Sequence, residues 1–550
     1  MRRRAAVGGL GALLGVAATG CGRKRGAANE SAEVASKPAG ATHLRRHMED
    51  SPRTIDPALI TDVPTLRLSD DLFEGLTRLD AAGNVIPAIA HRWTSSADGL
   101  HWVFELREDA RWSNGEPIVA ADFVYAWRRL VDPATRSQVV QQVTPLGNAL
   151  AIIEGKARPD TLAVEARGDH VLEVRLDQRT PWFLYLLTNT FLMPVHRATV
   201  ERAGDQWTRV DNIVTSGPFK LVSLRINGAI QVEKNPYHHD AATIRIERIT
   251  YFPITDRGAA TSRYLAGDID ISDGLQLDDI GWLRERLQPG EVRLSPYFGT
   301  VMFGFQAARA PFASRPLREA LNLAIDREIL TRKVLRGVFL PAYNIVPPVP
   351  GYTPATPEWA QWSREKREAR ARELYAQAGY SKEHPLSVEI AYVIGDPDND
   401  RLLEALSAMW RTVLGADVRL AAEEFRVLRQ NQQTGKHTFF WYAWIGDYPD
   451  PLSFLELLRR ISGQNFGKYD NPPFERLLDA AIASSDDADR AAKYAQAEAL
   501  LNDDAINLPV YFYTSRHLLK PEVRGWQDNV MNRHSSRDLW LERSDPGAVG

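Results

Sequence analysis

The chain has 550 residues, of which 44% are hydrophobic and 25% charged, and its formal net charge is −3. That length amounts to several ordinary domains, and that balance is typical of globular protein. Near-neutrality with dispersed basic residues gives no electrostatic footprint for nucleic acid or an anionic membrane surface, so a small molecule or a peptide is the expected partner.

The first segment has the form of an export signal. MRRRAAVGGLGALLGVAATGCGRK opens on three arginines, runs apolar over residues 5–18 and reaches small residues before Cys21, the one cysteine of the chain. The apolar run is shorter than the roughly 20 residues that a spanning helix needs. Ala18-Thr19-Gly20-Cys21 is similar to a bacterial lipobox, with Ala18 where leucine is usual. On that reading residues 1–21 are a signal peptide and Cys21 carries the lipid. The alternative is a soluble periplasmic protein cut at the small residues, with Cys21 incidental. Residues 22–43 are small, polar and low in complexity, as a flexible tether would be. No later segment is apolar enough to span a membrane.

Strands and helices then alternate irregularly. Residues 101–107 (HWVFELR) alternate as a half-buried strand and stop before Ser113-Asn114-Gly115, and residues 122–130 read as a short helix. Residues 219–236 form two alternating runs joined at Asn227-Gly228, a hairpin with a type I′ turn. Residues 316–335 carry a helical stripe, Leu317, Ala320, Leu321, Ala324 and Ile325, with proline at its start. Residues 401–414 form a helix stopped by Gly415, followed by a strand at 416–420. Residues 487–501 are helical and lead into a late strand, INLPVYFYTSR. The coarse result is mixed α/β in more than one lobe.

One stretch resists a purely structural account. In WYAWIGDYPDPLSFLELL, residues 441–458, Asp450 precedes Pro451 and an apolar helical stripe and so reads as a helix cap. Asp447 has no such role. It sits between Gly446 and Tyr448 in surroundings that disfavour a bare charge, as a structural salt bridge, a turn-stabilising aspartate or a ligand contact. Enzymatic motifs are missing: there is no HExxH, GxSxG, phosphate loop or clustered Cys/His metal set. Ser363 and Lys366 match a bare S-x-x-K, but on a charged helical face. His238-His239 reads as a solvated turn, since adjacent side chains diverge and no partner stands at ligand spacing.

From residue 44 onward the chain resembles the family 5 extracytoplasmic solute-binding proteins. The resemblance rests on DLFEGLTRLDAAGNVIPAIAHRW, DGLHWVFELREDARWSNGEPIVAADFVYAWRRLVDP, ERAGDQWTRVDNIVTSGPFKLVS, VEKNPYHHD, RYLAGDIDIS and PLREALNLAIDREIL, in that order. It is strongest toward the oligopeptide-binding branch of ABC importers and the related murein-peptide binders. It implies an α/β, two-lobed periplasmic-binding-protein (Venus flytrap) fold with an additional third domain, closing over its ligand by hinge motion. Lobe I would combine residues 44–73, 197–298 and 515–550, the additional domain would span 74–196, and lobe II 299–514. Both crossings between lobes would lie in loop-like sequence. The implied role is capture of oligopeptides in the periplasm for importer permease subunits. It implies no catalysis, no cofactor, no metal and no nucleic acid, a membrane tie only through a lipid at Cys21, and a monomer.

The same resemblance assigns the site. Asp447 matches the family aspartate that pairs with a peptide's α-amino group. Thr61-Asp62-Val63 occupies the position of one strand pairing with an extended peptide, Ala443 and Trp444 that of the other, and Tyr513 matches a ligand-touching tyrosine. Departures accompany these matches: Val139 stands for a tyrosine, Thr61 for an acid, Trp441 for an arginine, and a histidine associated with carboxylate recognition in longer peptides is replaced near Asn399. The amino-terminal anchor is therefore kept while carboxylate-side charge is lost, which fits longer, blocked or murein-derived peptides. Remaining alternatives are another solute on the same fold (a dipeptide, a metal chelate, haem), a peptide chemoreceptor, and a hydrolase of the enclosed peptide.

Overall fold

The computed structural model describes residues 42–225 and 228–542. The expected export signal, with Cys21, and most of the expected tether lie outside the described residues. The tether ends sooner than expected, because His43 already opens a strand whose Leu44 is fully buried.

Eleven strands form one sheet: β1 (His43–Met48), β2 (Phe219–Leu224), β3 (Ile230–Lys234), β4 (Arg248–Pro253), β5 (Ile271–Asp273), β6 (Val292–Phe305), β7 (Leu340–Pro341), β8 (Ser387–Val393), β9 (Asp417–Glu423), β10 (Phe439–Ile445) and β11 (Asn507–Leu519). Their spatial order is β9-β8-β10-β6-β11-β5-β1-β4-β3-β2, with β7 paired to β11. Pairs β1–β4 and β8–β9 are parallel, whereas β6 is antiparallel to both β10 and β11. A separate four-stranded sheet, ordered Ala90–Ser95, His101–Leu106, Val171–Arg175, Val164–Ala166, carries the helix Ala120–Val131, which buries Phe123, Trp127 and Leu130. This sheet falls within the expected additional domain. Two apolar cores hold the molecule, one around β6, β8 and β10, the other uniting β1, β4 and the four-stranded sheet.

The expected lobe boundaries, at residues 298/299 and 514/515, fall inside the strands β6 and β11 and not in the loops expected from the sequence. β6 pairs with β11 from Val292↔Leu518 to Pro296↔Thr514, loses register, and resumes at Thr300↔Phe512. One end of this ladder lies beside β5, the other beside β10. Pro296 has no amide to donate and forces the irregularity.

Other elements shift in instructive ways. The stripe over 316–335 breaks: the helix Arg315–Leu323 stops, and the Asp326 side chain accepts the Ile329 amide to cap a new turn. The helix ending at Gly415 starts earlier than expected, at Pro397, because Asp396 caps it. The helix Asp487–Asp504 runs slightly past its expected end. β2 and β3 form the expected hairpin, but Gly228 lacks the positive φ of a type I′ turn, and Asn227 lies outside the described residues. No described helix is long and apolar enough to cross a membrane.

Candidate functional site

Asp447 stands just past the end of β10. Ile445 is opposite Gly299 of β6, and the Gly446 amide donates to the Phe298 carbonyl at 2.8 Å. A Cβ on Gly446 would run into the Phe298 ring, so glycine lets the chain turn this close to β6. The Asp447 amide donates to Ser453 Oγ at 2.8 Å, and the Leu452 amide donates to Asp450 Oδ1 at 2.9 Å, the capping contact expected of Asp450. None of these bonds uses the Asp447 carboxylate.

That carboxylate lines a cavity of about 250 Å³ together with Thr61, Val63, Val139, Gln142 and Tyr297. Its one side-chain hydrogen bond is long, from Gln142 Nε2 at 3.4 Å. Burial, with no cation to offset it, raises its carboxyl from the ordinary 3.8 to about 6. The two arginines on the same walls are already engaged. Arg67 pairs with Glu49 at 2.8 Å and Asp273 at 3.0 Å, and Arg533 with Asp70 at 2.5 Å. Burial, with Asp447 and Asp450 adding to it, also lifts Glu456 to about 7. The cavity thus holds a buried carboxylate whose natural complement, a cation with N–H donors, the described residues do not supply.

The edge of β10 beside this cavity is open. β8 meets β10 only at Ala391↔Phe440, and Gln432 Nε2 caps the Trp441 carbonyl at 2.8 Å. From Tyr442 to Ile445, including Ala443 and Trp444, the outer edge has no strand partner among the described residues. Such an edge can receive an extended backbone. The indole Nε1 of Trp444 is buried without a hydrogen-bond partner, a further unspent donor.

The structure therefore gathers Asp447, Thr61 and Val63 on one cavity, with Val139 beside them, and brings Ala443 and Trp444 along the strand that leads to it. Thr61 and Val63 do so from a helix start rather than a strand. Asp62 caps the helix Val63–Leu72, accepting the Thr65 amide, with extended backbone at φ −115° and ψ 144°. Tyr513 on β11 is reached through Tyr297, whose ring centroid lies 6.4 Å away. Trp441 is set apart from the cavity and packs in the core at 9% exposure, opposite Phe303. Cys21 lies outside the described residues. Gln142 and Tyr297 went unnoticed in the sequence, where neither sits in any motif that would mark it.

His238-His239 is not the solvated turn expected. Both rings are buried, 4.2 Å apart, and both Nε2 atoms meet Glu74 Oε2, at 3.2 and 2.6 Å. Glu74 also takes the Arg537 guanidinium on its other oxygen; burial opposes its charge, yet Arg537 and His238 hold its carboxyl well below the usual range. The three ligand atoms lie close enough together to suit a metal. However, the Asp240 amide donates to His238 Nδ1 at 3.1 Å, so Nε2 carries the proton that Glu74 accepts. With Arg537 beside it, the group is an ion cluster in which Glu74 is the shared acceptor.

Comparison with known proteins places this geometry. The model of the bacterial extracellular solute-binding proteins, family 5, matches residues 84–466. The periplasmic murein peptide-binding protein MppA of Escherichia coli is 36% identical over 489 residues, covering 88% of this chain and 90% of MppA. Its structure superposes with a TM-score of 0.80 over 92% of this chain and 99% of MppA, at 35% identity. The periplasmic oligopeptide-binding protein OppA of Salmonella typhimurium is 36% identical over 511 residues, 91% of this chain and 93% of OppA. The crystal structure of Haemophilus influenzae OppA in complex with RPPGFSPFR gives a TM-score of 0.77 at 31% identity, over 92% and 100% of the two chains. The chain belongs to the family 5 solute-binding proteins, which are transport binding proteins and not enzymes.

Proposed function

We propose that this family 5 solute-binding protein is the capturing subunit of an ABC importer and encloses extended oligopeptides, with Asp447 pairing the ligand's α-amino group. One observation carries the reading: a buried interlobe carboxylate with no cation, at the end of an open strand edge. A peptide ammonium supplies the missing charge and its donors in one group. Main-chain bonds along β10 are common to all sequences, so affinity would be broad in side chain. Removing one partner of such a desolvated pair costs about 2–5 kcal/mol, or roughly thirty- to several-thousand-fold in affinity.

On this reading the relatives' periplasmic setting carries over, with export directed by residues 1–21 and a lipid on Cys21. The lobes follow the boundaries given above, with crossings in β6 and β11. Murein-derived peptides form a second reading, supported by the likeness to the murein peptide-binding protein MppA. Titration calorimetry with tetra-alanine and N-acetyl-tetra-alanine tests the amino-group anchor. Tight binding of the free peptide and loss on acetylation are expected; equal affinities would refute the role of Asp447. Native mass spectrometry after exposure to a random peptide pool tests breadth, and a single non-peptide mass would overturn the peptide reading.

A further inference from the structure

The far side of the Tyr297–Tyr513 pair carries a second incomplete electrostatic group, of opposite sign. Arg516 lies three residues beyond Tyr513 on β11, opposite Leu294, roughly 10 Å along the strand. Its side chain is 14% exposed, and its Nη1 makes no hydrogen bond; the nearest acid oxygen, Asp398 Oδ2, is 3.6 Å away. Asp398 is itself committed to Arg401 at 2.6 Å. The guanidinium rests 5.4 Å from the Phe339 ring centroid, which fixes its plane without using its donors.

A second arginine joins it. Arg257, half-buried at the start of the helix Arg257–Leu265, has no hydrogen bond or ion pair among the described residues. Both arginines meet at Gly274: its amide donates to the Arg516 carbonyl at 3.0 Å, and a Cβ there would lie 3.5 Å from Arg257 Nε. Burial, and then the charge of Arg257, lowers the Arg516 pKa, so the two cations oppose each other in the unliganded molecule. Arg257 lines a cavity of about 460 Å³ between the halves. The acids on its walls are occupied. Asp256 and Asp396 cap helices, and Asp278 is bridged to Arg401 and Arg336 at 2.9 and 3.1 Å.

We propose that Arg516, with Arg257 beside it, receives the carboxylate at the far end of the bound ligand, opposite Asp447. This rests on the peptide reading above and adds the end that the sequence left without charge. Tyr297 lines the Asp447 cavity, its ring centroid lies 6.4 Å from that of Tyr513, and Arg516 follows three residues on along β11, so the tyrosine pair stands between the carboxylate and the guanidinium. A zwitterionic chain that reaches from the Asp447 cavity past the Tyr297–Tyr513 pair neutralises both. A guanidinium with a free Nη1 takes one carboxylate oxygen, and the second arginine takes the other.

The test is calorimetry of tetra-alanine and its C-terminal amide on the wild-type chain, Arg516→Gln and Arg257→Gln. The wild type should prefer the free acid by at least about tenfold. Arg516→Gln should abolish that preference by weakening the acid alone, leaving amide affinity unchanged, and Arg516→Lys should restore part of it. Equal wild-type affinities for acid and amide, or equal weakening of both by Arg516→Gln, would overturn the proposal. If Arg516→Gln does not fold, Arg257→Gln decides: a retained preference overturns the assignment. N-acetyl-tetra-alanine separates the two readings. Loss on acetylation with no loss on amidation refutes this inference alone, and the converse refutes the Asp447 anchor alone. Failure of every peptide refutes both.

Discussion

Replacing Asp447 by asparagine should move stability and binding in opposite directions. The carboxyl rises from 3.8 to about 6 on folding, through burial. Its native form therefore holds a proton more tightly than the unfolded chain. The resulting stabilisation is full below about pH 4 and is lost as pH climbs through about 6. At pH 7.5 the unliganded protein carries the whole penalty, about 3 kcal/mol at 1.36 kcal/mol per unit, an upper figure because the cavity still admits solvent. Asparagine keeps the shape and the Gln142 contact but carries no charge. Denaturant unfolding at pH 7.5 should show the unliganded variant more stable by up to about 3 kcal/mol, with the difference vanishing near pH 4. Calorimetry on the same variant should show affinity for a free-amino peptide reduced by roughly thirtyfold or more. A structural aspartate predicts the reverse pair. Loss of stability with unchanged peptide affinity would refute the argument.

Three further outcomes follow from the same geometry. Affinity for a free-amino peptide should fall about tenfold between pH 7 and pH 5, as Asp447 protonates through about 6, while N-acetyl-peptide binding stays flat across calorimetric titrations. Gly446→Ala should cost about 1–3 kcal/mol in thermal unfolding and displace Asp447, weakening free-amino peptides, because the added methyl meets the Phe298 and Phe454 rings. Glu74→Ala should destabilise by about 3–5 kcal/mol, since it strips the shared acceptor from Arg537, His238 and His239, whereas zinc or EDTA should leave the wild-type melting temperature unchanged.

Legibility followed the range of the interaction. Local chemistry was read correctly where a cap or breaker dominates: Asp450 before Pro451, Gly415 at its helix end, and the alternating strand at 101–106. Asp447 stood out because nothing nearby could satisfy it, and the structure finds no cation for it either. The failures are long-range. Glu74 lies 164 residues from His238, so no spacing rule could pair them. Thr61 and Val63 were placed in a strand because a ligand-pairing role implies extended backbone, which Asp62 supplies as a helix cap. β6 passed for a loop at its crossing because Pro296 and Gly299 interrupt the strand pattern there. Arg516 and Arg257 acquire meaning only when Gly274 brings two distant segments together.

On the proposed lobe boundaries, the paired passage of β6 and β11 would constrain how the two halves move. A lone connecting strand could swivel about its own axis. Two strands, hydrogen-bonded to each other on both sides of the Pro296–Thr300 gap, resist swivel and shear and leave one compliant direction, out of the sheet plane. Such a joint would open along one direction, with a stiffness set by the backbone of the gap. Substitutions at Phe298 and Gly299 that change backbone stiffness would rescale the open–closed balance, and with it the affinity for every ligand by one shared factor. On the proposed reading, selectivity would belong to Asp447 and Arg516, whereas overall grip would be an elastic property of the joint.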